Sequence, residues 1–178
     1  VLLTDGGRNR SLVANLSAAN NYKLSHLESD EIWKGFVEPA SFYYIEGYFF
    51  TVSPDAIQKL AKHAAETGKV FTQNLSAPFL PQFFTAAMDA ASPYWDIIFG
   101  NEAEFEAWAV AHKYADPKDL KKVALEVSNL PKVGKRPRMV VITQGGDPVI
   151  VAYKGEVREY PIIKIDKEKI LDTNGAGG

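Results

Sequence analysis

Three features are missing from this sequence of 178 residues, and each absence excludes a class of protein. It has no cysteine, which excludes disulfides, thiolate catalysis and cysteine-based zinc sites. Neither sign of charge dominates, since 20 basic residues stand against 22 acidic ones, which excludes a supercharged nucleic-acid arm. Glu46 and Gly47 interrupt the longest apolar run, which is too short for the roughly 18 residues of a membrane-spanning helix. We therefore expect one globular domain with neither nucleic acid nor a membrane as partner.

Strand-like and helix-like segments alternate along the chain, and this order builds a parallel sheet covered by helices. Short segments rich in β-branched and aromatic residues predict four strands, over residues 41–45, 69–74, 95–99 and 138–143. Amphipathic stretches with start signals predict four helices, over residues 55–67, 78–91, 101–113 and 117–130. The sequence therefore predicts an α/β fold.

The pattern changes after Thr143. Residues 149–153 and 156–160 are separated only by Lys154 and Gly155, a spacing that predicts an antiparallel hairpin at the edge of the sheet. The basic segment 132–137 (KVGKRP) is interpreted as a solvated connector rather than a nucleic-acid site.

Candidate site residues follow the predicted strands, because ligands of an open α/β sheet bind at the carboxyl ends of its strands. Polar amides, acids and glycines occur there, in residues 47–50, 75–79, 100–104 and 144–146. Asn101 and Glu104 are three residues apart in the first turn of a helix, so they can hold magnesium or orient a phosphate. An N-cap with a capping-box glutamate explains the same spacing and is favoured by the residues alone.

Residues 172–177 (DTNGAG) contain the strongest local motif. Two glycines flank Ala176, so successive backbone N–H groups can point into one concavity and bind an anion. A tight turn explains the same residues, and both interpretations stay open. The same holds for Arg10, as a phosphate clamp or a surface arginine, and for Tyr48, as a stacking platform or a core aromatic.

Six motifs taken together resemble the ribokinase, or phosphofructokinase B, family of sugar and nucleoside kinases, and within it the members that phosphorylate adenosine. They are NRSLVANLSAANNY (9–22), GYFFTVSP (47–54), NLSAPF (74–79), FGNEAE (99–104), TQG (143–145) and DTNGAG (172–177). The resemblance implies a ribokinase-like three-layer α/β/α fold, with a mainly parallel central sheet, an antiparallel edge hairpin and lid strands largely absent. It also implies transfer of the γ-phosphoryl of ATP to the 5′-hydroxyl of adenosine, with Mg²⁺ as cofactor.

The resemblance assigns roles to individual positions. Catalytic roles fall on Arg10, near the phosphates, and on the anion-hole loop Asn174, Gly175, Ala176 and Gly177. Nucleoside contacts fall on Leu12, Ala14 and Tyr48, and ATP contacts on Thr143 and Gly145. Asn101 and Glu104 match an element tied, indirectly, to magnesium, which reverses the preference for simple capping. Partners are adenosine and ATP, and we expect a cytoplasmic monomer with a nuclear pool.

Two departures from the family pattern affect the expected activity. Gly178 stands where the family has the aspartate that takes the hydroxyl proton, and loss of a general base costs about 10² to 10⁴-fold in rate. The family's N-terminal part and C-terminal helices are also missing, so residues 1–178 are expected to be the core of one domain. We expect this chain by itself to be inactive or incomplete. The alternatives are another sugar or nucleoside kinase of the family, or an inactive nucleoside- or nucleotide-binding module.

Overall fold

A central six-stranded sheet dominates the computed structural model, which describes residues 2–4, 9–11 and 13–170, with backbone alone for the first two segments. The strands are β1 (Leu2–Thr4), β2 (Asn9–Ser11), β3 (Phe42–Ile45), β4 (Val70–Asn74), β5 (Ile97–Asn101), β6 (Met139–Gln144), β7 (Asp147–Tyr153) and β8 (Glu156–Tyr160). In the central sheet, β3 to β8 lie side by side in chain order. The pairs from β3 to β6 are parallel and the last two pairs are antiparallel, so the predicted mixed sheet is confirmed.

The hairpin between β7 and β8 forms as predicted. Lys154 and Gly155 adopt φ angles of 52° and 79°, the left-handed values that a two-residue hairpin turn requires. The separate antiparallel pair of β1 and β2 was not predicted, because strands of three residues are too short to show a period.

Besides short 3-10 and π-helical segments, the described residues form seven α-helices: α1 (Leu24–Leu27), α2 (Asp30–Ile32), α3 (Pro54–Thr67), α4 (Phe79–Phe83), α5 (Thr85–Ala91), α6 (Glu102–Ala111) and α7 (Leu120–Ser128). The helix α3 begins with Pro54 in its first turn and ends at Gly68, whose φ of 70° suits a helix terminus. The single helix predicted over residues 78–91 is two helices, because the backbone leaves the helical region at Phe84. Within the described part of the chain, no helix is long and apolar enough to cross a membrane.

The core lies between the sheet and one layer of helices. Every second side chain along the central strands is buried on this face. One row of paired, fully buried residues crosses four neighbouring strands, at Gln73, Ile98, Val140 and Ala152. The helices α3, α6 and α7 contact the strands and are linked to one another through α4 and α5. Apart from the buried Thr72, the opposite face of the sheet is half-buried or exposed, with Phe42 and Tyr44 at its β3 edge. The described helices therefore form one helical layer, and the remaining layer of the expected three is not among the described residues.

The basic segment 132–137 connects α7 to β6 and is exposed over residues 133–136, as expected of a solvated connector, but two of its side chains also pair with Asp96. Lys132 Nζ lies 2.8 Å from Asp96 Oδ1, and Arg136 Nη1 lies 3.3 Å from Asp96 Oδ2. The same carboxylate accepts a hydrogen bond from the backbone N–H of Phe71, at 2.9 Å. Because Asp96 is only 6% exposed, these basic side chains compensate a buried charge.

Candidate functional site

The carboxyl ends of four parallel strands meet at one edge of the sheet, as predicted. The ends of β5 and β6 are joined directly, because Asn101 pairs with Thr143 in register and the Thr143 hydroxyl lies 3.5 Å from the carbonyl oxygen of Gly100. This edge therefore brings Asn101, Glu104 and Thr143 together. The adjacent Gly145 has a φ of 55° and is exposed, which leaves its backbone accessible.

Asn101 and Glu104 form a complete capping box at the start of α6. The Asn101 side-chain oxygen accepts a hydrogen bond from the backbone N–H of Glu104, at 2.9 Å. Glu104 Oε2 in turn accepts one from the backbone N–H of Asn101, also at 2.9 Å. The capping interpretation is therefore confirmed as geometry, and one Glu104 oxygen is left over for a further contact.

The buried position of Glu104 is electrostatically unfavourable. Glu104 is only 5% exposed, and burial raises the pKa of its carboxyl. The hydrogen bond from Asn101 lowers this pKa, whereas the charges of Glu46 and Glu102 raise it further. Among the described residues, no lysine, arginine or histidine forms an ion pair with Glu104. Such a carboxylate at the mouth of a site favours a bound cation.

A ring of hydrogen bonds joins the ends of β3 and β4. Tyr44 Oη donates to Glu46 Oε1 and Ser76 Oγ donates to Glu46 Oε2, each at 2.7 Å. Asn74 closes the ring, because its amide donates to Tyr44 Oη at 3.0 Å and its side-chain oxygen accepts from the Ser76 N–H at 2.9 Å. The sequence analysis did not identify Tyr44 and Glu46 as site residues. The signal that could have identified them is a phenol and an acid at the end of an apolar strand.

Tyr48 and Phe79 form an exposed aromatic pair at the same edge. Their ring centroids are 6.2 Å apart, and the residues are 54% and 40% exposed. The interpretation of Tyr48 as a core aromatic is therefore wrong. A cavity of about 470 Å³ opens beside Tyr48, with Leu16, Tyr22 and Phe49 among its lining residues. A cavity of this size with mainly apolar walls suits a small organic ligand.

Ala14 is described and exposed, but several other predicted site residues have no described side chain. Arg10 has only its backbone described, within β2. The predicted positions outside the described residues are Leu12, Asn174, Gly175, Ala176, Gly177 and Gly178. Within residues 13–170, no group of three or more acidic or histidine side chains is arranged to hold a metal ion by itself.

Comparison with known proteins identifies the family. Among curated proteins, the chain is 51% identical over 172 residues to adenosine kinase 2 of Arabidopsis thaliana, covering 96% of this chain and 49% of that protein. It is 48% identical over 178 residues to the adenosine kinase of Schizosaccharomyces pombe, covering 99% of this chain and 52% of that protein. The chain thus spans about half the length of these relatives.

Solved structures give the same result. A crystal structure of Anopheles gambiae adenosine kinase, in complex with a di(adenosine) tetraphosphate, matches with a TM-score of 0.88 and 44% identity over 92% of this chain and 48% of that one. The apo structure of Trypanosoma brucei brucei adenosine kinase matches with a TM-score of 0.90 and 32% identity over 96% of this chain and 52% of that one. These neighbours confirm the ribokinase-like fold. Residues 1–177 match the model of the pfkB family of carbohydrate kinases, and this chain belongs to that family.

Proposed function

We propose that the protein transfers the γ-phosphoryl group of ATP to the 5′-hydroxyl of adenosine, giving AMP and ADP in a purine-salvage step. The observation that carries this is the exposed ring of Tyr48 at the carboxyl edge of the sheet, which pairs with Phe79 and lines an apolar cavity. A flat purine stacks on such rings, and each stacked base contributes about 1–3 kcal/mol. The identity to adenosine kinases supports adenosine as the acceptor.

The phosphates are held, in this proposal, by backbone and arginine donors. The loop Asn174, Gly175, Ala176 and Gly177 supplies N–H groups that stabilise the charge on the transferring phosphoryl group. Arg10 approaches the phosphates with its planar donor fork, and Thr143 and Gly145 lie beside ATP. Leu12 and Ala14 contact the nucleoside. Gly178 occupies the position from which the family's aspartate takes the hydroxyl proton.

Magnesium fits the element formed by Asn101 and Glu104. The buried carboxylate has a raised pKa and one oxygen that the capping box does not use, so a cation or its bound water would be favourable there. When bound, Mg²⁺ would neutralise phosphate charge during the transfer. The capping box would keep the Glu104 carboxylate oriented toward the cation.

Steady-state kinetics of the full-length protein test the function and the role of Tyr48. We expect phosphorylation of adenosine over ribose and other sugars, and we expect Tyr48→Leu to raise KM for adenosine about tenfold with KM for ATP unchanged. Phe36→Leu is a matched control, because Phe36 is also an exposed aromatic, at 67%, but does not line the cavity beside Tyr48. Turnover of another acceptor in preference to adenosine would identify a different kinase of the family. Calorimetric binding of adenosine without turnover would identify a binding module.

We also propose that residues 1–178 belong to one ribokinase-like domain and that the protein is a monomer in the cytoplasm, with a nuclear pool. The motif resemblance supports these assignments. Sedimentation of the purified protein and fractionation of the source cells test them.

A further inference from the structure

We propose that Glu46 is a positioning residue that, through Ser76, sets the geometry of the aromatic pair Tyr48 and Phe79. This inference rests on the proposed function, because it concerns how that pair receives the base of the nucleoside. It adds to the site a carboxylate that touches neither the base nor the reacting phosphate.

The Ser76 hydroxyl is the central contact. It donates to Glu46 Oε2 at 2.7 Å and accepts a hydrogen bond from the backbone N–H of Gly47, also at 2.7 Å. The other carboxylate oxygen is held by Tyr44 Oη. Both oxygens of Glu46 are thus occupied, and the donors come from two segments that lie 30 residues apart in the chain. The carboxylate therefore fastens the end of β3 to the loop that follows β4.

The backbone at this junction is held in an unusual arrangement. Ser76 has a φ of 65°, a left-handed value that a non-glycine residue adopts only when its surroundings impose it. Gly47 packs so closely on the β4 end that an added Cβ would lie 2.6 Å from the carbonyl oxygens of Asn74 and Leu75. The Asn74 side chain, which donates to Tyr44 Oη and accepts from the Ser76 N–H, completes the set of contacts that maintain this arrangement.

The two aromatic side chains are attached directly to this junction. Tyr48 follows Gly47, whose N–H binds Ser76, and Phe79 lies three residues after Ser76. Because both rings are exposed, core packing does not fix their separation. The ring of hydrogen bonds therefore sets how the two planes face each other, and pre-set geometry lowers the entropic cost of binding a flat ligand.

A double-mutant cycle in the full-length protein tests the inference. Glu46→Ala and Ser76→Ala are each expected to raise KM for adenosine about tenfold, with kcat and KM for ATP within about twofold of wild type. Because the two residues act through one hydrogen bond, the double variant is expected to resemble each single variant instead of showing the product of their effects. Glu31→Ala, at an exposed glutamate of α2, is the matched control.

Ser76→Gly distinguishes the effect of losing the Ser76 hydroxyl from the effect of backbone strain at this position. Glycine relaxes at a φ of 65° but lacks the hydroxyl, so the proposal predicts a raised KM for adenosine, as in Ser76→Ala. A wild-type KM in Ser76→Gly would overturn the proposal, as would additive effects or an unchanged KM in folded Glu46→Ala. If Glu46→Ala does not fold, Glu46→Met keeps the side-chain length without an oxygen acceptor and replaces it in the cycle. Failure of wild type to phosphorylate adenosine would refute the proposed function, a result distinct from an active wild type with insensitive variants.

Discussion

Adding one methyl group at Gly47 is expected to destabilise the protein. The new Cβ would lie 2.6 Å from the carbonyl oxygens of Asn74 and Leu75 and 2.9 Å from the Leu75 carbonyl carbon. These are backbone atoms at the end of a central strand, so they cannot rotate away as the tip of a side chain would. Gly47 does not need a left-handed φ, so the steric clash is the main unfavourable effect of the substitution.

The size of this effect follows from two opposing contributions. Overpacking a rigid interior costs about 1–3 kcal/mol. Replacing glycine by alanine lowers the entropy of the unfolded chain, which returns about 0.4–1 kcal/mol. We therefore expect Gly47→Ala to lower the free energy of unfolding by about 1 kcal/mol, which lowers Tm by roughly 2–4 °C for a domain of this size.

Thermal and urea unfolding, followed by circular dichroism, measure this change. Gly146→Ala is the matched control, because its added Cβ has no atom within 4 Å and its φ is not left-handed. The control is expected to be neutral or slightly stabilising. A Tm of Gly47→Ala equal to that of the control would refute the close packing of the β3 and β4 ends.

Two further substitutions test buried charges. Burial raises the pKa of Glu104 above its usual 4.5 in the folded protein. Above the raised pKa, the ionised carboxylate therefore lowers the free energy of unfolding. This loss of stability disappears as pH falls below 4.5, where the carboxyl is protonated in both the folded and the unfolded state. Glu104→Gln is therefore expected to be more stable than wild type at pH 7 but not at about pH 4, and urea unfolding showing no such pH dependence would contradict this. Asp96→Ala, which removes the partner of Lys132, is expected to cost about 3 kcal/mol, against under about 1 kcal/mol for Asp30→Ala in an exposed pair. Equal losses in chemical denaturation would show that the buried pair of Asp96 and Lys132 contributes no more than an exposed pair.

Much of the fold could be predicted because its information is local. Short runs of β-branched and aromatic residues identified the four parallel strands of the central sheet, and the two-residue spacing at Lys154 and Gly155 identified the two hairpin strands. The break at Phe84 was missed because its neighbours on both sides have helical composition. The ion pairs of the basic segment were missed because their partner, Asp96, lies just before β5, 40 residues before Arg136, and only the tertiary fold brings them together.

In the candidate site too, contacts between residues close in sequence could be predicted, whereas contacts between distant residues could not. Asn101 and Glu104 were found because their contact spans one helical turn, although that spacing alone cannot separate a cap from a cation site. Glu46 and Ser76 were not found as a pair, because 30 residues separate them and only strand pairing brings them together. Contacts across the sheet carry no period in the sequence.

The most direct test of the central claim follows the γ-phosphoryl group itself. The full-length protein is incubated with adenosine, Mg²⁺ and ATP labelled at the γ-phosphoryl, and the labelled products are separated and identified by mass. We predict that the label appears in AMP on the 5′-oxygen and that 5′-deoxyadenosine, which lacks the accepting hydroxyl, receives none. Label transferred to 5′-deoxyadenosine, or to a sugar in preference to adenosine, would contradict the account.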